Sequence, residues 1–124
     1  MNKYHNRKVR TSDGCIHDSR KEAVRWNELK LMEQAGAITG LQRQVKFVLI
    51  PAQYEPDLIG KNGKFKKGKC LEREVSYIAD FMYNENDKVV VEDVKGYKGG
   101  GAYAVFSIKR KLMLQVYGIR IKEI

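Results

Sequence analysis

The sequence predicts a single α/β domain, a mixed β-sheet flanked by helices in the order helix, three strands, helix, strand. Three observations carry that prediction. Ser19 and Glu22 stand at capping-box spacing ahead of Ala23, Trp26, Leu29 and Met32, which recur at helical intervals. Two segments rich in β-branched and aromatic residues, 77–83 and 89–95, flank the polar stretch 84–87. A second helical pattern over 102–117 runs into Gly118 and is followed by the alternating 119–124.

Each element follows from local chemistry. Residues 1–13 are polar, basic and aperiodic, which predicts a basic flexible arm ahead of one domain over 14–124. Residues 14–18 fit a short extended piece leading into the capping box, and the first helix runs from Ser19 to the Ala35–Gly36 region, with Gly36 and Gly40 as stop signals. Segment 42–50 alternates and then becomes continuously apolar, a strand halted by Pro51. The lysine-rich 60–68 reads as the tip of a long hairpin or as a disordered loop. Strands over 70–84 and 88–95 should pair antiparallel through the turn between them. Residues 96–101 form a glycine-rich connection that lets backbone approach a ligand, but they contain neither GxGxxG nor a Walker GKS/GKT. The second helix places Val105, Ile108, Leu112 and Val116 on one face, with Lys109 inside that stripe.

Composition narrows the function classes. With 124 residues, 43% hydrophobic and 31% charged, the chain is long enough for one core and too short for two. No apolar run reaches bilayer length, and the basic N-terminus lacks the apolar stretch of a signal peptide, so a cytoplasmic protein is expected. Cys15 and Cys70 belong to no CxxC or Cys/His cluster and read as reduced thiols, while His5 and His17 are isolated; no structural zinc is expected. The net charge of +9 is clustered: Lys3, Arg7, Lys8 and Arg10 in the arm, and Lys61, Lys64, Lys66, Lys67 and Lys69 in the loop. Such clusters attract polyanions, nucleic acid first.

The candidate chemistry sits on the two central strands. Alternation places Ile78, Asp80 and Met82 on one face of the first strand, and Val91, Asp93 and Lys95 on one face of the next, opposite Glu92. One acid in an apolar strand is explained by an internal ion pair. Two on neighbouring strands with a lysine two residues on gain little for packing, and point instead to a divalent cation and a phosphate held together. Glu22 is a third candidate beside its capping role, and Lys109 either snorkels to water or reaches a phosphate.

Asp80, then Asp93-Val-Lys95, with Glu22 in a preceding helix and a basic helix after, resembles the PD-(D/E)XK nuclease superfamily. Residues 18–23, 77–81, 91–96 and the ending from Lys111 through Tyr117-Gly-Ile are similar, in that order, to a family of small phage and prophage endonuclease-like proteins related in arrangement to Holliday junction resolvases. The resemblance spans nearly the whole chain from Gly14. It departs at Ala79, where the superfamily often has proline, and at His17, where the small family tends to an aromatic residue.

The resemblance implies a restriction-endonuclease-like core and a Mg²⁺- or Mn²⁺-dependent endonuclease of the bacterial host cytoplasm. In it Asp80 and Asp93 bind the metal, Lys95 positions or activates water, and Glu22 completes the site. The backbone carbonyl of Val94 is a further candidate ligand. DNA, branched or duplex, would lie against Arg7, Lys8, Arg10, Lys61, Lys64, Lys66, Lys67, Lys98 and Lys109, read by shape rather than by sequence. Cutting two strands favours a homodimer. The rival expectations are a non-catalytic nucleic-acid-binding protein and a ribonuclease with the same metal site.

Overall fold

The computed structural model describes residues 7–95 and 99–124. Residues 1–6 of the expected arm, and Lys98 among the expected DNA contacts, lie outside the described residues.

Ordered structure begins before residue 14, the expected domain boundary. Val9–Arg10 (β1) pairs antiparallel with Ile16–His17 (β2). Asp13 explains the earlier start. Its carboxylate accepts hydrogen bonds from the Thr11 hydroxyl at 2.5 Å, the Cys15 amide at 3.0 Å and the Trp26 indole at 2.5 Å, which ties the turn to the first helix. Those donors, Thr11 first, hold the Asp13 carboxyl well below the usual carboxylate range.

Helix α1 spans Arg20–Gln34, with the Ser19 hydroxyl accepting from the Glu22 amide at 3.1 Å. Its far end closes as a Schellman motif: Gly36, at φ +79°, donates to the Glu33 carbonyl, and Ala37 donates to that of Met32. Strand β3 (Thr39–Ile50) follows and pairs antiparallel with β8 (Val75–Glu85). Between them the chain makes two small antiparallel ribbons, β4 (Gln53–Tyr54) with β7 (Cys70–Glu72) and β5 (Leu58–Ile59) with β6 (Phe65–Lys66). The lysine-rich segment is thus the tip of a long hairpin. Every residue from 53 to 67 is exposed, so the ribbons form a finger supported chiefly by their own backbone bonds. Gly68 permits the close crossing at its base, where a Cβ would stand 1.8 Å from the Glu55 carbonyl oxygen.

Strand β8 turns into β9 (Lys88–Asp93) through Asn86 and Asp87, both at positive φ, the two-residue turn that suits strand twist. Helix α2 (Gly100–Tyr117) ends at left-handed Gly118, and β10 (Lys122–Glu123) adds to the edge parallel to β9. The sheet order β10-β9-β8-β3 is mixed, with the two helices packed on it, an α/β arrangement as the sequence predicts.

Two core clusters hold the layers. Trp26 and Leu29 of α1 pack with Ile38, Phe81 and Tyr83, with Val90 alongside. Phe106 and Met113 of α2 pack with Leu49, Tyr77, Ala79, Val91 and Ile121. Val90 and Val91 are neighbours on one strand and successive side chains point to opposite faces, so the helices cover opposite faces of the sheet. The expected core stripe of α2 is corrected. Val105, Ile108 and Val116 are exposed, Ile108 at 60%, while Phe106 and Met113 are buried. Apolar residues lie on more than one side of this helix, so periodicity offered two faces; the one carrying the larger aromatic and Met side chains fills the space against the sheet.

Candidate active site

The site lies where β8 changes its packing partner. Ala79 belongs to the α2 cluster and Phe81 to the α1 cluster, with Asp80 between them. Opposite Asp80, Gln44 has φ +54° between the in-register pairs Arg43–Phe81 and Val45–Ala79, a left-handed residue inside a strand. On the other side, β9 leaves the ladder after Glu92, which pairs with Phe81. The Val94 amide then bonds to the Asp80 carboxylate at 2.8 Å.

Asp80, Asp93, Val94 and Glu22 line one cleft of about 400 Å³, together with Asp18, Ser19, Arg20 and Lys21 from the start of α1. Three structural elements therefore deliver Glu22, Asp80 and Asp93 to one space, and Asp18, just ahead of α1, adds a fourth carboxylate. Asp93 accepts a hydrogen bond from the Tyr77 hydroxyl at 2.7 Å, and its other oxygen lies 3.1 Å from the Lys95 ammonium. That ammonium also sits 3.2 Å from the centre of the Phe106 ring, so α2 fixes its position. The Lys21 ammonium donates to the Lys95 carbonyl at 2.7 Å; Arg20 and Lys21 line the cleft, whereas Lys95 does not line it and reaches it only through Asp93.

Burial and mutual repulsion govern these acids. Burial pushes the Asp80 carboxyl up to about 7, against the Val94 amide, which stabilises its charge; Asp93 and Glu22 add repulsion. Burial likewise raises Glu22, with Asp18 the next contributor. Burial beside Asp93 drives the Tyr77 hydroxyl far above its ordinary range, keeping it a donor. Glu22 Oε1 is buried without a hydrogen-bond partner among the described residues, 3.6 Å from the similarly unpartnered Nδ1 of buried His17.

Glu92 is 0% exposed and serves another purpose. Its two oxygens accept from Arg25 Nε at 2.8 Å and Nη2 at 2.7 Å, and the Tyr83 hydroxyl also donates to it. This bidentate pair fastens α1 to β9 and keeps Glu92 off the cleft, whereas its neighbour Asp93 lines it.

The expected phosphate-contacting residues are dispersed. Lys61, Lys64, Lys66 and Lys67 are on the finger, Arg7, Lys8 and Arg10 lie exposed around β1, and Lys109 lines a separate depression of about 360 Å³ between α2 and β8. Sequence reasoning did not single out Tyr77 or Lys21. Tyr77 shares the spacing of the buried face of its strand, and its hydroxyl gives no pattern of its own; Lys21 was marked only by adjacency to Glu22.

Among the described residues, no three His, Cys, Asp or Glu side chains are placed closely enough to cage a cation. The donor chemistry still fits a hard divalent ion. All side-chain donors are carboxylate oxygens, one buried oxygen lacks a partner, and the Asp80 charge is opposed by its surroundings until a positive charge arrives.

The family described as protein of unknown function (DUF1064) matches residues 1–122. The chain belongs to that family. No curated protein and no solved structure matches it. No described helix of this DUF1064 protein is long and apolar enough to cross a membrane.

Proposed function

We propose that this DUF1064 protein is a Mg²⁺- or Mn²⁺-dependent endodeoxyribonuclease with a PD-(D/E)XK-type centre, selective for branched DNA. One observation carries the reading: Glu22, Asp80 and Asp93, from α1, β8 and β9, line one cleft with Val94, and Lys95 is held against Asp93. Asp80, Asp93 and the Val94 carbonyl would hold the cation, with Glu22 completing its surroundings. When bound, such an ion supplies charge that polarises the scissile phosphate and makes water acidic enough to attack at neutral pH.

The side chains supply the rest. Lys95, pinned between Asp93 and the Phe106 ring, orients the attacking water and offsets negative charge growing on the phosphate. Tyr77 holds Asp93 in one rotamer and leaves its second oxygen to Lys95. Lys21, which lines the cleft, would meet a non-bridging phosphate oxygen. The exposed apolar face of α2 at Val105 and Ile108, beside exposed Ile78, is the surface for a homodimer that cuts two strands.

A second reading, non-catalytic nucleic-acid binding, is favoured by the lack of a closed acidic cage among the described residues. A ribonuclease is the third. Incubating the protein with labelled four-way junction, flap, linear duplex and RNA in Mg²⁺, Mn²⁺ or EDTA separates them. The proposal expects metal-dependent cutting, fastest on branched DNA. Binding without cutting in either metal selects the second reading, and preferential RNA cleavage the third.

A further inference from the structure

The finger carries more than charge. Around its tip, residues 58–67 contain four lysines and no acid. The Gly60 amide bonds to the Lys64 carbonyl at 2.7 Å, and Gly63 at φ +74° completes a tight three-residue turn. Immediately beside that turn, Ile59 and Phe65 are direct cross-strand partners and so project from the same face of the ribbon. They are among the most exposed apolar side chains described, at 78% and 70%.

A two-stranded ribbon of this size gains stability by covering such a pair, and no described residue covers it. We infer that the finger tip is a wedge for nucleic acid: Ile59 and Phe65 enter between bases at a branch or bulge, while Lys61, Lys64, Lys66 and Lys67 meet the flanking phosphates. The occupant follows from complementarity. Bases offer apolar faces spaced by anionic phosphates, and the tip offers the Ile59–Phe65 pair on one face, with Leu58 on the other, ringed by cations. A second copy of the chain is disfavoured because two acid-free, lysine-rich tips repel. An anionic lipid surface has the right charge, but the apolar side chains are split between the two faces of the ribbon, Ile59 and Phe65 on one and Leu58 on the other, so no broad apolar face lies flat on it. The choice of nucleic acid over lipid rests in part on the nuclease reading of the cleft, so the test measures binding without metal.

The full-length protein is titrated in EDTA into DNA carrying 2-aminopurine beside a three-nucleotide bulge, into the matching linear duplex, and into phosphatidylserine–phosphatidylcholine vesicles. The proposal expects a fluorescence rise on the bulged DNA and tighter binding there than to the linear duplex by about ten-fold or more. Ile59→Ser with Phe65→Ser should remove the rise and the preference while leaving the melting temperature unchanged, since both side chains are exposed. Lys64→Ser should lower affinity for both DNAs alike and make the dependence of log affinity on log salt shallower, by about 0.9 for each phosphate no longer neutralised. Equal binding and equal fluorescence for the wild type and the Ile59/Phe65 variant overturn the wedge, as does Phe65-dependent vesicle binding without a DNA response. Cleavage in Mg²⁺ is scored separately. A protein that unstacks the bulge but never cuts upholds the wedge and sinks the nuclease, whereas one that cuts with no part played by Phe65 does the reverse.

Discussion

Asp80 concentrates the conflict at the heart of the proposed centre. Its charge is disfavoured by burial and by two neighbouring acids, and one backbone amide only partly compensates. A carboxyl raised from 3.8 to about 7 keeps its proton in the fold over a range where the unfolded chain has lost it, so its contribution to stability falls as pH rises from about 4 to 7. His17, whose proton affinity is lowered by burial, tilts stability the opposite way as pH falls, so the clean readout is a difference. Relative to wild type, Asp80→Asn should gain melting temperature steadily between pH 4 and pH 7 in EDTA; a constant offset would refute this. Mg²⁺ or Mn²⁺ should stabilise wild type more at pH 7.5 than at pH 5, because a bound cation and a proton compete for the same carboxylates. That shift should be small or lost in Asp80→Asn. At this scale the acids and Lys95 are legible in the sequence, since a charged residue within an apolar strand is conspicuous. Tyr77 is not: an aromatic residue in a strand looks like packing, and only the structure shows its hydroxyl on Asp93.

Elements are placed by a few interactions between helix and sheet. The bidentate Arg25–Glu92 pair ties α1, which carries Glu22, to β9, which carries Asp93. Glu92→Ala leaves the Arg25 guanidinium only the exposed Glu28 as an acceptor and strands the Tyr83 hydroxyl, and should cost about 2–4 kcal/mol in urea unfolding; a loss under about 1 kcal/mol would show that the pair does not fasten the helix. The two faces of α2 are separable in the same way. Met113→Ala, at 0% exposure, should cost about 2–5 kcal/mol, whereas Ile108→Ala should stay within about 1 kcal/mol for the monomer. Helix and strand types are readable because capping residues, left-handed glycines and the Asn86–Asp87 turn are local signals. The buried side of α2 is not, because apolar residues lie on more than one side of the helix and only docking selects the inner one. The early start of structure at Val9 was equally hidden, resting on one aspartate that binds a tryptophan thirteen residues away.

For the molecule as a whole, the distribution of charge joins the pieces. An acidic cleft on a chain of net charge +9, with a lysine finger and exposed basic residues around β1, suits a polyanion held at several points with one phosphodiester at the acids. Binding to linear duplex should therefore weaken by orders of magnitude between about 50 and 200 mM salt, scaling with the number of phosphates contacted. The overall α/β order was readable from periodicity, but the parallel docking of β10 on β9 and the convergence of α1 with both central strands are long-range facts that no local pattern states. The decisive measurement for the nuclease centre is single-turnover cleavage of a labelled four-way junction in Mg²⁺, comparing wild type with folded Asp80→Asn and Lys95→Ala. A working centre of this kind gives cutting that EDTA abolishes and that each substitution slows by about 10²-fold or more. A wild type that leaves the junction intact in Mg²⁺ and Mn²⁺, or a folded Asp80→Asn that cuts as fast as wild type, is incompatible with it.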